Sequence, residues 1–197
     1  MEKNSRFRLI LIKHAFPIFE PSKPAGYWVL GGEGKAQSKL LVERIKHYSP
    51  FSLFSSNEPK AIQTAAIISG EFDIKFQALE GLREIHRPVL PLLSEEEYIK
   101  LNREIFKNPD KPVIGNESAK KALSRFDTAI DENIEEDLKK RNVAIISHGT
   151  VISLFVAKYN AIDVFQLWKN LSCSSFAELD YPGYQLKRVV YENKKTN

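Results

Sequence analysis

Two imidazoles stand at the ends of two matching segments. Leu9-Ile10-Leu11-Ile12-Lys13-His14-Ala15 and Val143-Ala144-Ile145-Ile146-Ser147-His148-Gly149-Thr150 each run through apolar residues to a histidine and then a small residue. A short apolar run predicts a strand buried on both faces, as in a parallel sheet. The residue at the carboxyl end of such a strand lies where α/β proteins hold ligands. Two histidines so placed, one near each end of the chain, point to a single site built from both. Other candidates fall at similar boundaries. Lys13 precedes the first histidine, and Ser55, Ser56, Asn57 and Glu58 follow a second apolar run, with Lys60 opening the next helix. Glu84 lies in an irregular stretch. A neutral imidazole is a competent nucleophile, and a carboxylic acid can protonate a leaving oxygen. Ammonium groups and helix N-termini stabilise charge on a transferring phosphoryl group. The set suits phosphoryl transfer through histidine, and no third ligand is spaced to make the two histidines a zinc site.

The elements that must position these groups follow from hydrophobic spacing. Strands are expected over Leu9–Ile12, Phe51–Ser55, Ile74–Phe76 and Val143–Ser147, with an antiparallel hairpin from Ser174–Leu179 and Leu186–Tyr191 about the turn Tyr181-Pro182-Gly183-Tyr184. Helical spacing predicts helices over Gly34–Tyr48, Pro59–Ser69, Ser94–Phe106, Glu117–Lys140 and Thr150–Tyr159. Ser94-Glu95-Glu96-Glu97 has the pattern of a capping box. Strands alternating with helices imply an α/β fold, a three-layer α/β/α sandwich whose mostly parallel sheet is made mixed by the hairpin. Residues 1–197 read as one domain, and the irregular segment near 82–116 as a lid over the strand ends.

Composition excludes several classes. The 197 residues are 43% hydrophobic and 27% charged, as in an ordinary globular protein. The net charge of +4 is spread along the chain, and the pair Lys194-Lys195 is too short for a nucleic-acid arm, so no nucleic-acid partner is expected. No stretch approaches a membrane span, so no membrane partner is expected. One cysteine, Cys173, rules out an internal disulfide and predicts a reduced, cytoplasmic setting. Gly31-Gly32-Glu33-Gly34-Lys35 lacks the spacing of a phosphate-binding loop.

In order along the chain, these residues resemble the histidine phosphatase superfamily, the phosphoglycerate-mutase-like fold. Lys13-His14-Ala15 stands where that family has Arg-His-Gly after its first strand, and Gly34 and Gln37 match the residues that begin its first helix. Ser56-Asn57-Glu58-Pro59-Lys60-Ala61-Ile62-Gln63-Thr64-Ala65 matches its Ser-x-x-x-Arg-Ala-x-Gln-Thr-Ala. Leu82-Arg83-Glu84 matches its Leu-x-Glu, Gly115-Asn116-Glu117-Ser118 its Gly-x-Glu-Ser, and Ser147-His148-Gly149 its Ser-His-Gly. The resemblance implies that His14 attacks phosphorus and becomes a phosphohistidine. It implies that His148 binds the phosphoryl oxygens, that Lys13 and Lys60 take the places of two phosphate-clamping arginines, and that Glu84 protonates the leaving group. It also implies a small phosphorylated substrate and no metal or organic cofactor.

The chain departs from the family at the clamp. Lysine keeps the positive charge of arginine but loses its planar fork. Ala15 adds a methyl beside the nucleophile, and no asparagine follows within Phe16–Pro21. These changes imply a phosphatase with altered or weakened phosphate binding. The alternative is an inactive phosphate-ligand-binding member of the same fold. Some residues keep a second reading: Glu84 as a salt-bridge partner of Arg83 or Arg87, Glu117 and Ser118 as a helix cap, and Cys173 as a small buried hydrophobe. His47 and His86 read as surface or lid residues, and Phe16, Tyr27 and Trp28 either line a substrate pocket or simply pack. Oligomeric state is not written in the chain.

Overall fold

In a computed structural model, which describes residues 7–49 and 51–192, the elements alternate as expected. They are β1 (Phe7–Lys13), α1 (Gly32–Ile45), β2 (Phe51–Ser56), α2 (Pro59–Phe72), β3 (Phe76–Leu79), α3 (Glu95–Lys107), α4 (Ala119–Asn133), α5 (Glu135–Leu138), β4 (Asn142–Ser147), α6 (Gly149–Tyr159), α7 (Val164–Asn170), β5 (Phe176–Tyr181) and β6 (Leu186–Val190). The Lys194-Lys195 pair lies outside the described residues. No helix among those described is long and apolar enough to cross a membrane.

One six-stranded sheet runs in the order β3-β2-β4-β1-β5-β6. The pairs β2/β3, β2/β4 and β1/β4 are parallel, while β5 is antiparallel to both β1 and β6. Side chains alternate across a strand, so β1 feeds two apolar layers. Leu9 and Leu11 pack with Phe126, Val151, Ile152 and Phe155 of α4 and α6. Ile10 and Ile12 pack with Leu41, Ile45, Ala61 and Ile68 of α1 and α2. The sheet is therefore covered on both faces, which makes the three layers. From β1 the chain crosses to β2 on one side, and from β4 to β5 on the other. The crevice between the ends of β1 and β4 is thus a point where connections diverge, the usual place for a ligand in an open α/β sheet.

Most element ends shift by one to three residues, and two differences from the sequence reading are larger. The single helix expected over Glu117–Lys140 is two, broken at Ile134 (φ −121°, ψ −28°). Ala122, Phe126, Ile130, Ile134 and Leu138 all remain fully buried across the break, so periodicity carried no sign of it. The short helix α7 was not expected; its start is fixed by the Asp163 carboxylate, which accepts from the N–H groups of Phe165 and Gln166. β3 starts two residues later than the expected Ile74–Phe76, and β5 is shifted by two residues from Ser174–Leu179 to Phe176–Tyr181. The capping box at Ser94 is present as read.

Candidate active site

The register of β1 on β4 pairs Lys13 with Ser147, which sets the next residue of each strand side by side. The His14 N–H donates to the Ser147 carbonyl at 3.0 Å, and the two imidazole centroids lie 5.1 Å apart. His14 is 7% exposed and His148 1%. Burial holds the His14 pKa well below its ordinary value, and the neighbouring His148 and Lys60 lower it further. Burial, then the charges of Lys60 and Arg125, does the same to His148. Both rings are therefore neutral at neutral pH.

The surrounding hydrogen bonds orient each ring. His14 Nδ1 meets the Ala15 carbonyl at 2.8 Å. A carbonyl only accepts, so Nδ1 carries the proton and Nε2 keeps its lone pair. The Ala15 N–H donates to Thr64 Oγ1 at 3.1 Å, and the Phe16 N–H to Gln37 Oε1 at 2.8 Å. Leu30 donates to Gln63 Oε1 at 2.6 Å. A methyl on Gly34 would lie 2.1 Å from the Phe16 carbonyl oxygen. The residues from α1 and α2 that matched the family pattern thus fasten the loop behind His14. His148 Nε2 lies 2.8 Å from Ser56 Oγ, which accepts the Glu58 N–H at 3.1 Å. The buried His148 Nδ1 has no partner among the described residues.

Both lysines reach this centre. Lys13 Nζ donates to the Leu171 carbonyl at the end of α7 at 2.7 Å. Lys60, 4% exposed, donates to the Ala25 carbonyl at 2.6 Å and to Glu58 Oε2 at 2.5 Å. The other oxygen of Glu58 accepts the Glu84 N–H at 2.8 Å and lies 3.7 Å from His148 Nε2. Glu84 is not ion-paired to Arg83 or Arg87. Its two carboxylate oxygens accept the N–H groups of Ile85 (2.8 Å) and Thr150 (3.1 Å). Arg83 and Arg125 both bind the carboxylate of Glu117 and also donate to carbonyls of the Gly81–Glu84 turn, which brackets the segment carrying Glu84. Ser118 caps α4, as one reading had it, but Glu117 is this bridge and not part of the cap.

His14, His148, Lys13, Lys60 and Glu84 open onto one cavity of about 530 Å³. Its walls include Phe16, Trp28, Pro88, Leu90, Tyr98 and Trp168. Phe16 and Trp28 thus line the pocket, whereas Tyr27 is exposed and faces a second cavity with His86. His47 is on the surface beside Arg188. Cys173 is half-buried in the first cavity's wall, not a core hydrophobe, and burial pushes its thiol pKa up. Among the described residues, no three His, Cys, Asp or Glu side chains are grouped to hold a metal ion.

Ser56 and Glu58 were candidates without a role in the sequence, and Arg87 and Thr150 were not site candidates there. Ser56 and Glu58 sit at a strand end and so carried a positional signal. Thr150 and Arg87 enter only through contacts between distant segments, Arg87 Nη2 donating to Thr150 Oγ1 at 3.0 Å.

With this geometry in place, the comparisons with known proteins are consistent. Residues 29–194 match the model of the histidine phosphatase superfamily (branch 1), and the chain belongs to that family. No curated protein sequence matches it. Among solved structures, the fold is similar to mycobacterial glucosyl-3-phosphoglycerate phosphatase, with a TM-score of 0.72 at 17% identity, covering 94% of this chain and 98% of that one. It is also similar to Bacillus stearothermophilus YhfR, with a TM-score of 0.72 at 19% identity, covering 94% and 96%. A phosphoserine phosphatase mutant from Entamoeba histolytica, in complex with phosphoserine, matches with a TM-score of 0.72 at 17% identity, covering 93% and 96%. At such identities the likeness carries the fold alone.

Proposed function

We propose that the chain is a phosphomonoesterase acting on a small phosphorylated substrate through a phosphohistidine intermediate. The observation that carries this reading is a pair of buried imidazoles, ring centroids 5.1 Å apart, sharing one cavity with two lysines and a glutamate. In this reading His14 Nε2, freed by the Nδ1–H bond to Ala15, attacks phosphorus. The N–P bond forms as the ester P–O bond breaks, and Glu84 gives its proton to the departing oxygen. Water then attacks the phosphohistidine while Glu84 takes its proton; the new O–P bond forms as the N–P bond breaks, which returns the lone pair to His14 Nε2 and releases phosphate. Ser56 donates its hydroxyl proton to His148 Nε2, which leaves the His148 Nδ1–H for a phosphoryl oxygen. Lys13 and Lys60 neutralise the remaining charge. The segment 82–116 acts as a lid over this cavity, and the single cysteine fits a reducing cytoplasm.

A second reading rests on the lysines. An ammonium group has three donors; Lys60 spends two on Ala25 and Glu58, and Lys13 spends one on Leu171. That restraint favours modest phosphate affinity, and at the extreme a binding protein without turnover. Phosphate release from 4-nitrophenyl phosphate decides between them. The expected result is turnover in the wild type that His14→Ala abolishes. Vanadate binding with no turnover of any ester would establish the binding module instead.

A further inference from the structure

We propose that Arg87 seats a second anionic oxygen group, carried by the leaving group of the substrate; this rests on the phosphatase reading above. Five other arginine side chains meet carboxylates, while Arg103 and Arg141 are exposed to solvent. Arg8 and Arg188 pair with Glu178, Arg44 with Glu192, and Arg83 and Arg125 with Glu117. Arg87 is 8% exposed, yet no carboxylate among the described residues lies at ion-pair distance from it. Its acceptors are neutral: Nη2 donates to Asn102 Oδ1 at 2.8 Å and Thr150 Oγ1 at 3.0 Å. The guanidinium carbon lies 5.8 Å from the centre of the Tyr98 ring, and Nη1 has no acceptor among the described residues. A buried charge is normally paired, because removing it from water without a partner is costly.

Its position indicates which part of a substrate would supply such an anion. Arg87 lines the same cavity as His14 and Lys60. It touches Thr150, whose N–H holds Glu84 Oε2 at 3.1 Å. Glu84 faces the departing oxygen in the proposed reaction, so its link through Thr150 puts Arg87 on the leaving-group side of the cavity. Pro88, Leu90 and Tyr98 supply an apolar wall there for the carbon skeleton between the two anions. Guanidinium recognises carboxylate and phosphate alike through paired N–H donors. The substrate class is therefore a phosphomonoester whose alcohol or phenol part bears a carboxylate or a second phosphate.

The test compares three probes on one ring: phenyl phosphate, 3-carboxyphenyl phosphate and 1,3-phenylene bisphosphate. The readout is the ratio of kcat/KM for each anionic ester to that for phenyl phosphate. A charge-assisted hydrogen bond predicts a wild-type ratio of about 10-fold or more for at least one of them. Whichever ester shows it identifies the anion. Arg87→Met is expected to bring that ratio close to unity, and Arg87→Lys to retain part of it. A role confined to anchoring Asn102 and Thr150 would lower all three rates together and leave the ratio unchanged, which would overturn the proposal. So would ratios near unity in the wild type, a measurement that does not require the variant to fold. Calorimetric binding of the same probes to His14→Ala reads the ratio without turnover. Failure of hydrolysis with the binding ratio intact would therefore sink the phosphatase reading and not this one.

Discussion

Replacing Lys60 by methionine separates what this lysine does for folding from what it does for chemistry. The Lys60 and Glu58 side chains are 5% and 11% exposed, and their charges meet at 2.5 Å. Methionine fills the space of the lysine stem but leaves the Glu58 carboxylate buried without a cation. Removing one partner of a buried pair costs about 3–5 kcal/mol. Glu58 keeps the Glu84 N–H as a donor, which places the expected loss near the lower figure, about 3 kcal/mol. For a chain of this size that corresponds to a melting temperature about 6–12 °C lower. Activity falls for a different reason, the loss of a fixed donor to the phosphoryl oxygens, by about 10²–10³-fold. Adding Glu58→Gln removes the stranded charge. The double variant should regain stability to within about 1 kcal/mol of the wild type while activity stays low. Urea unfolding followed by Trp28 and Trp168 fluorescence, alongside phosphate release, measures both quantities. The reasoning is refuted if Lys60→Met leaves the urea midpoint unchanged, or if the double variant is no more stable than the single one.

The two buried imidazoles predict a pH dependence of stability. Both pKa values are lowered in the fold, so below about pH 6.5 the unfolded chain binds two protons that the folded one refuses. Their contribution is complete above that pH and is lost as pH falls toward the folded values, by up to about 2.7 kcal/mol per unit. His148→Asn should reduce this slope by half of that, and urea midpoints that keep the wild-type slope would contradict it. Gly34→Ala places a methyl against the Phe16 carbonyl, so the loop behind His14 must shift. Overpacking of this kind costs about 1–3 kcal/mol, and the variant should lose activity at temperatures where circular dichroism shows it still folded.

The parts of the fold that were readable from sequence are those where one residue pattern had one physical solution. β1 and β4 lie in the middle of a sheet covered on both faces, so their residues are apolar without alternation, and that alone placed His14 and His148 at strand ends. The break at Ile134 was hidden because Ile134 and Leu138 continue to fill the core that Ala122 and Phe126 begin. A change in backbone direction that keeps every apolar residue buried leaves no trace in periodicity. α7 was hidden for the opposite reason: at seven residues it is too short for a repeat to show, and only the Asp163 cap marks it.

The site was readable where it depends on strand ends and obscure where it depends on closure between segments. The exchange of arginine for lysine at the proposed clamp shows the difference. From sequence, Lys13 and Lys60 keep charge and lose orientation, because an ammonium is a rotating point charge where a guanidinium is a rigid fork. In the fold the orientation returns from outside the residue. Ala25 and Glu58 occupy two of the three Lys60 donors, and Leu171 occupies one of Lys13's. A lysine with two donors tied presents its third in one direction only. Rigidity has moved from the side chain into its neighbours, and those neighbours lie 35 and 158 positions away for Ala25 and Leu171. Such a clamp responds to substitution at Glu58 as strongly as at Lys60 itself. A lone arginine, carrying its geometry in its own covalent frame, would not.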